Sequence, residues 1–410
     1  MNLFKNTALF SAERLLRTGL GFLVSVMITK AYGIEIYGEY AYYFAIVNIF
    51  GVALSLGLDD YFVKCIAEGN KLPFALLHIR MVLSGLAFFC CCLVLFWKRA
   101  GFDFWIVSLL SWTYIWNCFY LLLIILDKPN KYKTILTLIC ISLLFILLKF
   151  LVLNFGFIVF MCTTLFETMV TTFILYLSIK GVFEVKKINL RVVKSIINLS
   201  LPVGISSLSV MLFYRFDQMI VEHYLGVKTL GVYALSASMM LAAGYLQSAY
   251  VTGMYSAIGN AKNNGNNIDI QNALLKAYRG AIYIGLFIYV GYFIAGRFVI
   301  IYIFPDLSVK LISILDVGML SILFSGLAAI NSQYLFFNNY SNKRLIRTLI
   351  ALSFNVVWNM LFIPKLGVMA AVWGYLITQI IMGVLLNIFD KLTRELFKLQ
   401  LKAIFTVRVK

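Results

Sequence analysis

The sequence predicts an all-α polytopic membrane protein with twelve transmembrane helices in two six-helix lobes, and three observations carry that prediction. Of the 410 residues, 62% are hydrophobic and 13% charged, where a soluble protein carries about 25% charged and 45–50% apolar residues. The apolar residues recur in long blocks along the whole chain, most of them exceeding the roughly 20 residues that a bilayer crossing requires. A short glycine motif also recurs about half a chain apart.

Taken in order, the blocks are 7–28, 37–56, 77–97, 104–126, 134–153, 156–179, 196–221, 230–256, 277–304, 310–337, 346–363 and 367–389. The first contains Glu13, Arg14 and Arg17 and lacks a small-residue cleavage site, so it reads as a retained span rather than a signal peptide. The longest interruptions are GVFEVKKINLRVVKS, after Lys180, and AKNNGNNIDIQN, from Ala261. Neither leaves room for a soluble domain. The expected organisation is an N-lobe at 1–180, a cytoplasmic linker at 181–195, a C-lobe at 196–389 and a basic cytoplasmic tail at 390–410.

The formal charge of +18 is explained by where the cations lie. With a cytoplasmic N-terminus, 24 of the 35 basic residues fall on the cytoplasmic side, Lys64, Arg80, Lys343 and Arg347 among them. Eight, including Lys149, Arg297 and Lys310, fall on the other side, and Arg14, Arg17 and Arg215 fall inside spans. The positive-inside rule then fits twelve spans with both termini cytoplasmic, and no nucleic-acid partner is needed to explain the charge. The tail KLTRELFKLQLKAIFTVRVK is expected to lie along the anionic inner surface of the membrane.

Of the seven cysteines, all but Cys65 fall within spans, where they serve as small packing residues rather than disulfides. His78 and His223 sit near span ends without a partner motif, so neither a metal nor an organic cofactor is expected.

GIEIYGEYA (Gly33–Ala41) follows the first span and GVKTLGVYA (Gly226–Ala234) follows the seventh, 193 residues apart. Both read G-x-x-x-x-G-x-Y-A. The same motif at the same place in each half implies duplication into parallel lobes, a pattern of transporters whose substrate site lies between repeats.

Three further stretches carry a family resemblance: SLGLDDYFVKCIAEGNK between spans 2 and 3, LPVGISSLSVMLFYRFDQMIVEHYLGVKTLGVYALSASM across spans 7 and 8, and FNVVWNMLFIPKLGVMAAVWGYLITQ across spans 11 and 12. With twelve spans in about 400 residues, the whole chain resembles the polysaccharide transporter family, the O-antigen flippases. These belong to the multidrug/oligosaccharidyl-lipid/polysaccharide (MOP) exporter superfamily, whose fold also includes the MATE transporters. The sequence departs mildly at Gly367-Val-Met-Ala-Ala, where such proteins often carry Gly-Ala-Ala. The resemblance implies alternating-access flipping of an undecaprenyl-pyrophosphate-linked oligosaccharide across a bacterial inner membrane, coupled to H+ or Na+. It implies a monomer, with a polysaccharide polymerase and a chain-length regulator as partners in assembly.

An ionised side chain inside a span costs at least about 2.5–3.5 kcal/mol, so the intramembrane charges are the candidate site residues. Arg14 and Arg17 share a helix face, about 10 and 15 Å into the first span at ~1.5 Å per residue. A cationic wall there suits a pyrophosphate, and pairing with Glu13 is the plainer use. Arg215 and Asp217 are about 200° apart on a helical wheel, so they do not form a simple pair with each other. Arg215 is a cavity candidate and Asp217 a group that orients it, with snorkelling to the interface as the alternative.

Glu167, centred in span 6, would be protonated if unpaired and could couple a proton gradient; a permanently neutral Glu is the other reading. Asp316, in the outer part of span 10, has a weaker version of that role. Asp59 and Asp60 are candidates for a gate or lobe-contact salt bridge, or for plain interfacial solvation. The glycines of the repeat are expected to end helices and turn the chain.

Two other classes compete. A multidrug antiporter of the same superfamily would favour an acidic cavity, and three intramembrane arginines suit an anionic substrate better. An O-antigen polymerase or membrane glycosyltransferase would place its chemistry on a long external loop. The external segments here are short and hold no His/Asp/Glu cluster poised for acid–base work, so the chain is not expected to be an enzyme.

Overall fold

The computed structural model describes residues 3–59, 61–62, 72–99, 101–125, 131–184, 190–263, 267–338 and 340–405. Apolar side chains satisfy the lipid and helical hydrogen bonding satisfies the backbone, so almost every described element is helical. In order these are α1 (Leu3–Tyr32), α2 (Ile34–Ala53), α3 (Phe74–Trp97), α4 (Phe102–Leu109), α5 (Ile115–Ile125), α6 (Lys131–Leu151), α7 (Phe157–Ile179) and α8 (Leu190–Asn263). They continue as α9 (Asn267–Gly291), α10 (Arg297–Ile303), α11 (Ser308–Gly318), α12 (Leu320–Phe337), α13 (Ser341–Leu366), α14 (Val368–Ile380), α15 (Leu386–Phe389) and α16 (Arg394–Phe405). The described non-helical pairing is a two-residue parallel bridge of Leu72–Pro73 with Phe183–Glu184.

Among the described residues, ten helical stretches are long and apolar enough to cross a membrane. One, Gly204–Gly259, runs for 56 residues and is broken at Gly226, which makes it two crossings. With the 20-residue α2, each of the twelve predicted spans coincides with helix. Two segments, Tyr292–Gly296 between α9 and α10 and Ile381–Leu385 between α14 and α15, are wound as π-helix.

Packing divides the chain into two compact units, 23–219 and 1–22 together with 220–410. Both divisions fall inside a helix, α1 and α8. The units describe packing, whereas the lobe boundary expected at 181–195 comes from the repeat in the sequence.

The two copies of the glycine motif share a backbone geometry. Gly33 (φ 91°, ψ 165°) and Gly226 (φ 79°, ψ 169°) adopt nearly the same conformation at their helix junctions. A second pair occupies the junctions before the sixth and twelfth spans, Gly156 (φ 98°, ψ 162°) and Gly367 (φ 68°, ψ −156°). This region of backbone space is essentially restricted to glycine. A Cβ at any of the four would meet nothing within 4 Å, so it is the backbone and not crowding that demands glycine.

Within the unit 23–219, crowding sets the requirement elsewhere. A Cβ on Gly57 would lie 2.3 Å from the Ser200 carbonyl oxygen, and one on Gly204 would lie 2.7 Å from the Leu56 carbonyl carbon. The turn after α2 and the start of α8 therefore touch backbone to backbone.

In the other unit, the apolar face of the tail packs on protein rather than facing lipid. Its helix α16 buries Leu396, Leu399 and Ala403 in a core with Leu274, Ala277, Tyr278 and Ala281 of α9. A polar network fixes it there. Gln400 Nε2 donates to the Gly383 carbonyl (2.8 Å) and to Asn331 Oδ1 (3.2 Å), and Tyr278 donates to the same Asn331 oxygen (2.7 Å). Arg347, which the charge count placed among the cytoplasmic cations, is buried. It donates to Asn387 Oδ1 (3.0 Å), the Leu386 carbonyl (2.8 Å) and Thr393 Oγ1 (2.6 Å). Lys343 pairs with Asp390 at 3.0 Å.

Two stability tests follow from these geometries. Gly226→Ala should lose about 1–3 kcal/mol to backbone strain alone. Gly85→Ala, inside α3 where a Cβ also meets nothing, should be neutral or stabilising by about 0.5–1 kcal/mol; thermal unfolding in one detergent compares them.

The second concerns pH. Partial burial pushes the Asp390 carboxyl up, but hydrogen bonds from Lys343 and the Leu392 N–H, with the charges of Lys343 and Arg347, outweigh it and hold the pKa below the usual value. The stability it adds is complete above the unfolded carboxylate value of about 4 and is lost as pH falls through the lower native value. Asp390→Asn should therefore lower the melting temperature by a constant amount above about pH 5, and the gap from the parent should close only in stronger acid.

Candidate functional site

The charges that the sequence singles out are mostly neutralised in the structure, each through a neighbouring helix or helical turn. In the unit 23–219, Asp59 receives a two-pronged bond from Arg80, with Nε to Oδ1 at 2.9 Å and Nη2 to Oδ2 at 3.2 Å. Arg80 also donates to Ser84 at 3.3 Å and is 1% exposed. The charge count had it as a cytoplasmic cation, yet it is among the largest fully buried side chains described. Asp60 lies outside the described residues.

Glu167 on α7 is likewise engaged. Lys149 Nζ on α6 lies 2.5 Å from its Oε2, and Lys149 is buried rather than standing in an external segment. Neither sequence reading of Glu167, as a proton carrier when unpaired or as a neutral acid, included this partner. Asp217 is buried, and its Oδ1 accepts the N–H of Gln218 at 2.7 Å.

Arg215 differs from these. It is half-buried on α8, and its guanidinium carbon lies 5.7 Å from the centroid of Phe44 on α2, within cation–π reach. Phe44 stacks on Tyr40 at 5.5 Å with an interplanar angle of 17°. Tyr40 in turn meets Tyr37 at 6.3 Å and Phe157 at 6.5 Å. Among the described residues no carboxylate lies within ion-pair distance of Arg215.

In the other unit, Arg17 pairs with the buried Glu13 one helical turn away, which is the plainer of the two uses read from the sequence. Arg14 lies on the same helix, its side chain outside the described residues. Asp316 on α11 binds Arg297 at 2.6 and 3.2 Å and accepts the Tyr292 hydroxyl at 2.7 Å. Arg297 also sits 4.1 Å from the Phe293 centroid. Tyr292 and Phe293 belong to the first π-helical segment, which borders an apolar cavity of about 260 Å³ lined by Phe22, Met239, Ile288, Gly291, Phe304 and Met319 among others.

Among the described residues no group of His, Cys, Asp and Glu is arranged to hold a metal. Chemically, Arg215 offers a guanidinium over an aromatic shelf with no carboxylate at ion-pair distance among the described residues. Such a group binds a phosphate or carboxylate, and the rings beside it offer faces for stacking.

Neither a family model nor a curated protein sequence matches the chain. Comparison of structures defines the class: the helices adopt the fold of MOP-superfamily transporters. In particular, the chain is similar to the lipid II flippase MurJ in an inward closed conformation, with 19% identity and a TM-score of 0.71 over 97% of this chain and 91% of that one. It is also similar to a MOP-superfamily transporter from Pyrococcus furiosus (14% identity, TM-score 0.67, 98% and 97% covered). A third is an inward-facing multidrug resistance MATE transporter (14% identity, TM-score 0.66, 97% and 96% covered). At these identities the likeness is one of fold.

The ion pairs are open to direct test. Asp59→Asn should destabilise by up to about 3–5 kcal/mol because it takes a two-pronged carboxylate partner from the buried Arg80. The double variant Asp59→Asn/Arg80→Met should recover most of that loss, as read by thermal unfolding.

Proposed function

We propose that the protein is a flippase for a lipid-linked oligosaccharide, moving an undecaprenyl-pyrophosphate-linked O-antigen or capsule repeat unit across a bacterial inner membrane by alternating access. The observation that carries this reading is Arg215, the half-buried guanidinium without a carboxylate beside it among the described residues. A buried cation is costly. A substrate that brings its own phosphates supplies the missing counter-charge, and Tyr40 and Phe44 give its sugars a surface to stack on. The likeness to a lipid II flippase supports a lipid-linked cargo.

Arg17 and Arg14 on α1 are separate candidate contacts for the pyrophosphate in this reading, Arg17 once it leaves Glu13. Asp217 orients the α8 side of the site. Glu167, Asp316 and Asp59, with Asp60 beside it, act as gates: each closed ion pair opens when H+ or Na+ takes over the carboxylate. The protein works as a monomer with cytoplasmic termini and hands its product to a polysaccharide polymerase and chain-length regulator.

A multidrug antiporter is the second reading, favoured by the multidrug MATE likeness. Its cationic cargo would be repelled by Arg215.

The test is complementation of a flippase-null strain. Losing one charge-assisted contact costs about 1.5–3 kcal/mol, so Arg215→Ala should cut surface polysaccharide roughly tenfold or more, with membrane level unchanged. Arg215→Lys should retain part of the activity. Full polysaccharide from Arg215→Ala, or efflux of cationic dyes by the parent without complementation, would overturn the flippase reading.

A further inference from the structure

The terminal helix α16 uses its two faces differently. An amphipathic helix that binds a membrane by insertion spends its apolar face on lipid. Here that face, Leu396, Leu399 and Ala403, is already spent on α9, and Gln400 ties it to the bundle through Gly383 and Asn331. What remains outward is mainly basic, with Leu401 and Ile404 exposed beside the cations. Lys391, Arg394, Lys398 and Lys402 are all exposed, against the single exposed carboxylate of Glu395. Only four residues separate the last span, which ends at Phe389, from the start of α16 at Arg394. The intervening turn is pinned by Lys343 on Asp390 and by Arg347 on Thr393. The basic face is therefore held at the border of the bilayer by the fold itself.

We propose that this face is a docking surface for the anionic phospholipid headgroups of the surrounding membrane, and that it engages them by charge alone, without inserting. The occupant follows from charge complementarity and position. Four cations held beside a bilayer face its headgroup phosphates, and each cation near an anionic surface contributes about fivefold to binding. The surface is rigid because Gln400 and Arg347 fix it from behind.

The mounting also gives the contact a consequence inside the membrane. The Gly383 carbonyl that Gln400 caps lies in the second π-helical segment, where it also accepts from Asn331 at 2.9 Å. A headgroup that holds α16 in place thus helps hold the last span in its π-helical form.

The test reads stability, so it stands apart from what the protein transports. The full chain is placed in nanodiscs of phosphatidylcholine alone and of phosphatidylcholine with roughly a third phosphatidylglycerol, a mixture chosen to supply the anionic surface. Melting is followed by tryptophan fluorescence. The parent should melt several degrees higher in the anionic discs. That gain should collapse in about 1 M salt, where screening shortens to roughly 3 Å. The variant Lys391→Gln/Arg394→Gln/Lys398→Gln/Lys402→Gln should lose the gain while melting as the parent does in neutral discs. A control, Lys180→Gln/Lys194→Gln, removes exposed cations of the other unit and should keep it. Leu401→Ser/Ile404→Ser, which removes the exposed apolar side chains of α16, should keep it too. Retention of the gain by the fourfold variant, or its loss in the control, would overturn the proposal. Loss in the Leu401/Ile404 variant would replace charge docking with insertion.

Discussion

A charge within the hydrocarbon of a membrane must find its opposite, and this structure is organised around meeting that demand. Burying an ion carries a penalty of several kcal/mol, which only close partners with good geometry offset. Asp59 with Arg80, Glu167 with Lys149 and Asp316 with Arg297 each meet it between helices that follow one another in sequence. Glu13 and Arg17 meet it within one helix. The three pairs between helices each tie two neighbouring segments together at one point along their length. Among the described residues Arg215 stands apart from this pattern, which is why the proposed substrate contact is placed there.

Much of the fold was legible in the sequence because lipid imposes a long-wavelength signal. A block of about 20 apolar residues reads as a crossing whatever its neighbours do, so all twelve spans fell on helices. The junction glycines at Gly33 and Gly226 were legible because they sit in a shared motif. The equivalent pair, Gly156 and Gly367, has the same backbone geometry but no shared neighbours to flag it. There, backbone shape has outlasted side-chain similarity.

The ion pairs were not legible, and the reason is specific. Glu167 and Lys149 are 18 residues apart, Asp316 and Arg297 19, and Asp59 and Arg80 21. These are separations across a helical hairpin, to which a helical wheel drawn for one helix is blind. Charge counting, which reads only the side of the membrane a cation lies nearest, gave no sign that Arg80, Lys149 and Arg347 are buried. Scanning for opposite charges about one helix apart, on either side of a turn, would have found all three pairs. What covers the apolar face of the terminal helix was not legible for a related cause. Amphipathicity reveals that a helix has an apolar face, while only tertiary contacts reveal whether protein or lipid covers it.

The π-helical segment at Tyr292–Gly296 also has a bearing on the history of the chain. A π turn holds one residue more than the surrounding α-helix needs, which is the expected trace of a single-residue insertion accepted without breaking the helix. Kept as regular α-helix, such an insertion would rotate everything beyond it by about 100° around the helix axis; wound into a π turn, the extra residue is taken up locally. Arg297 is the first residue beyond it, and its guanidinium meets Asp316. The wide turn thus lets the helix carry one more residue while leaving Arg297 on the face that its carboxylate partner needs.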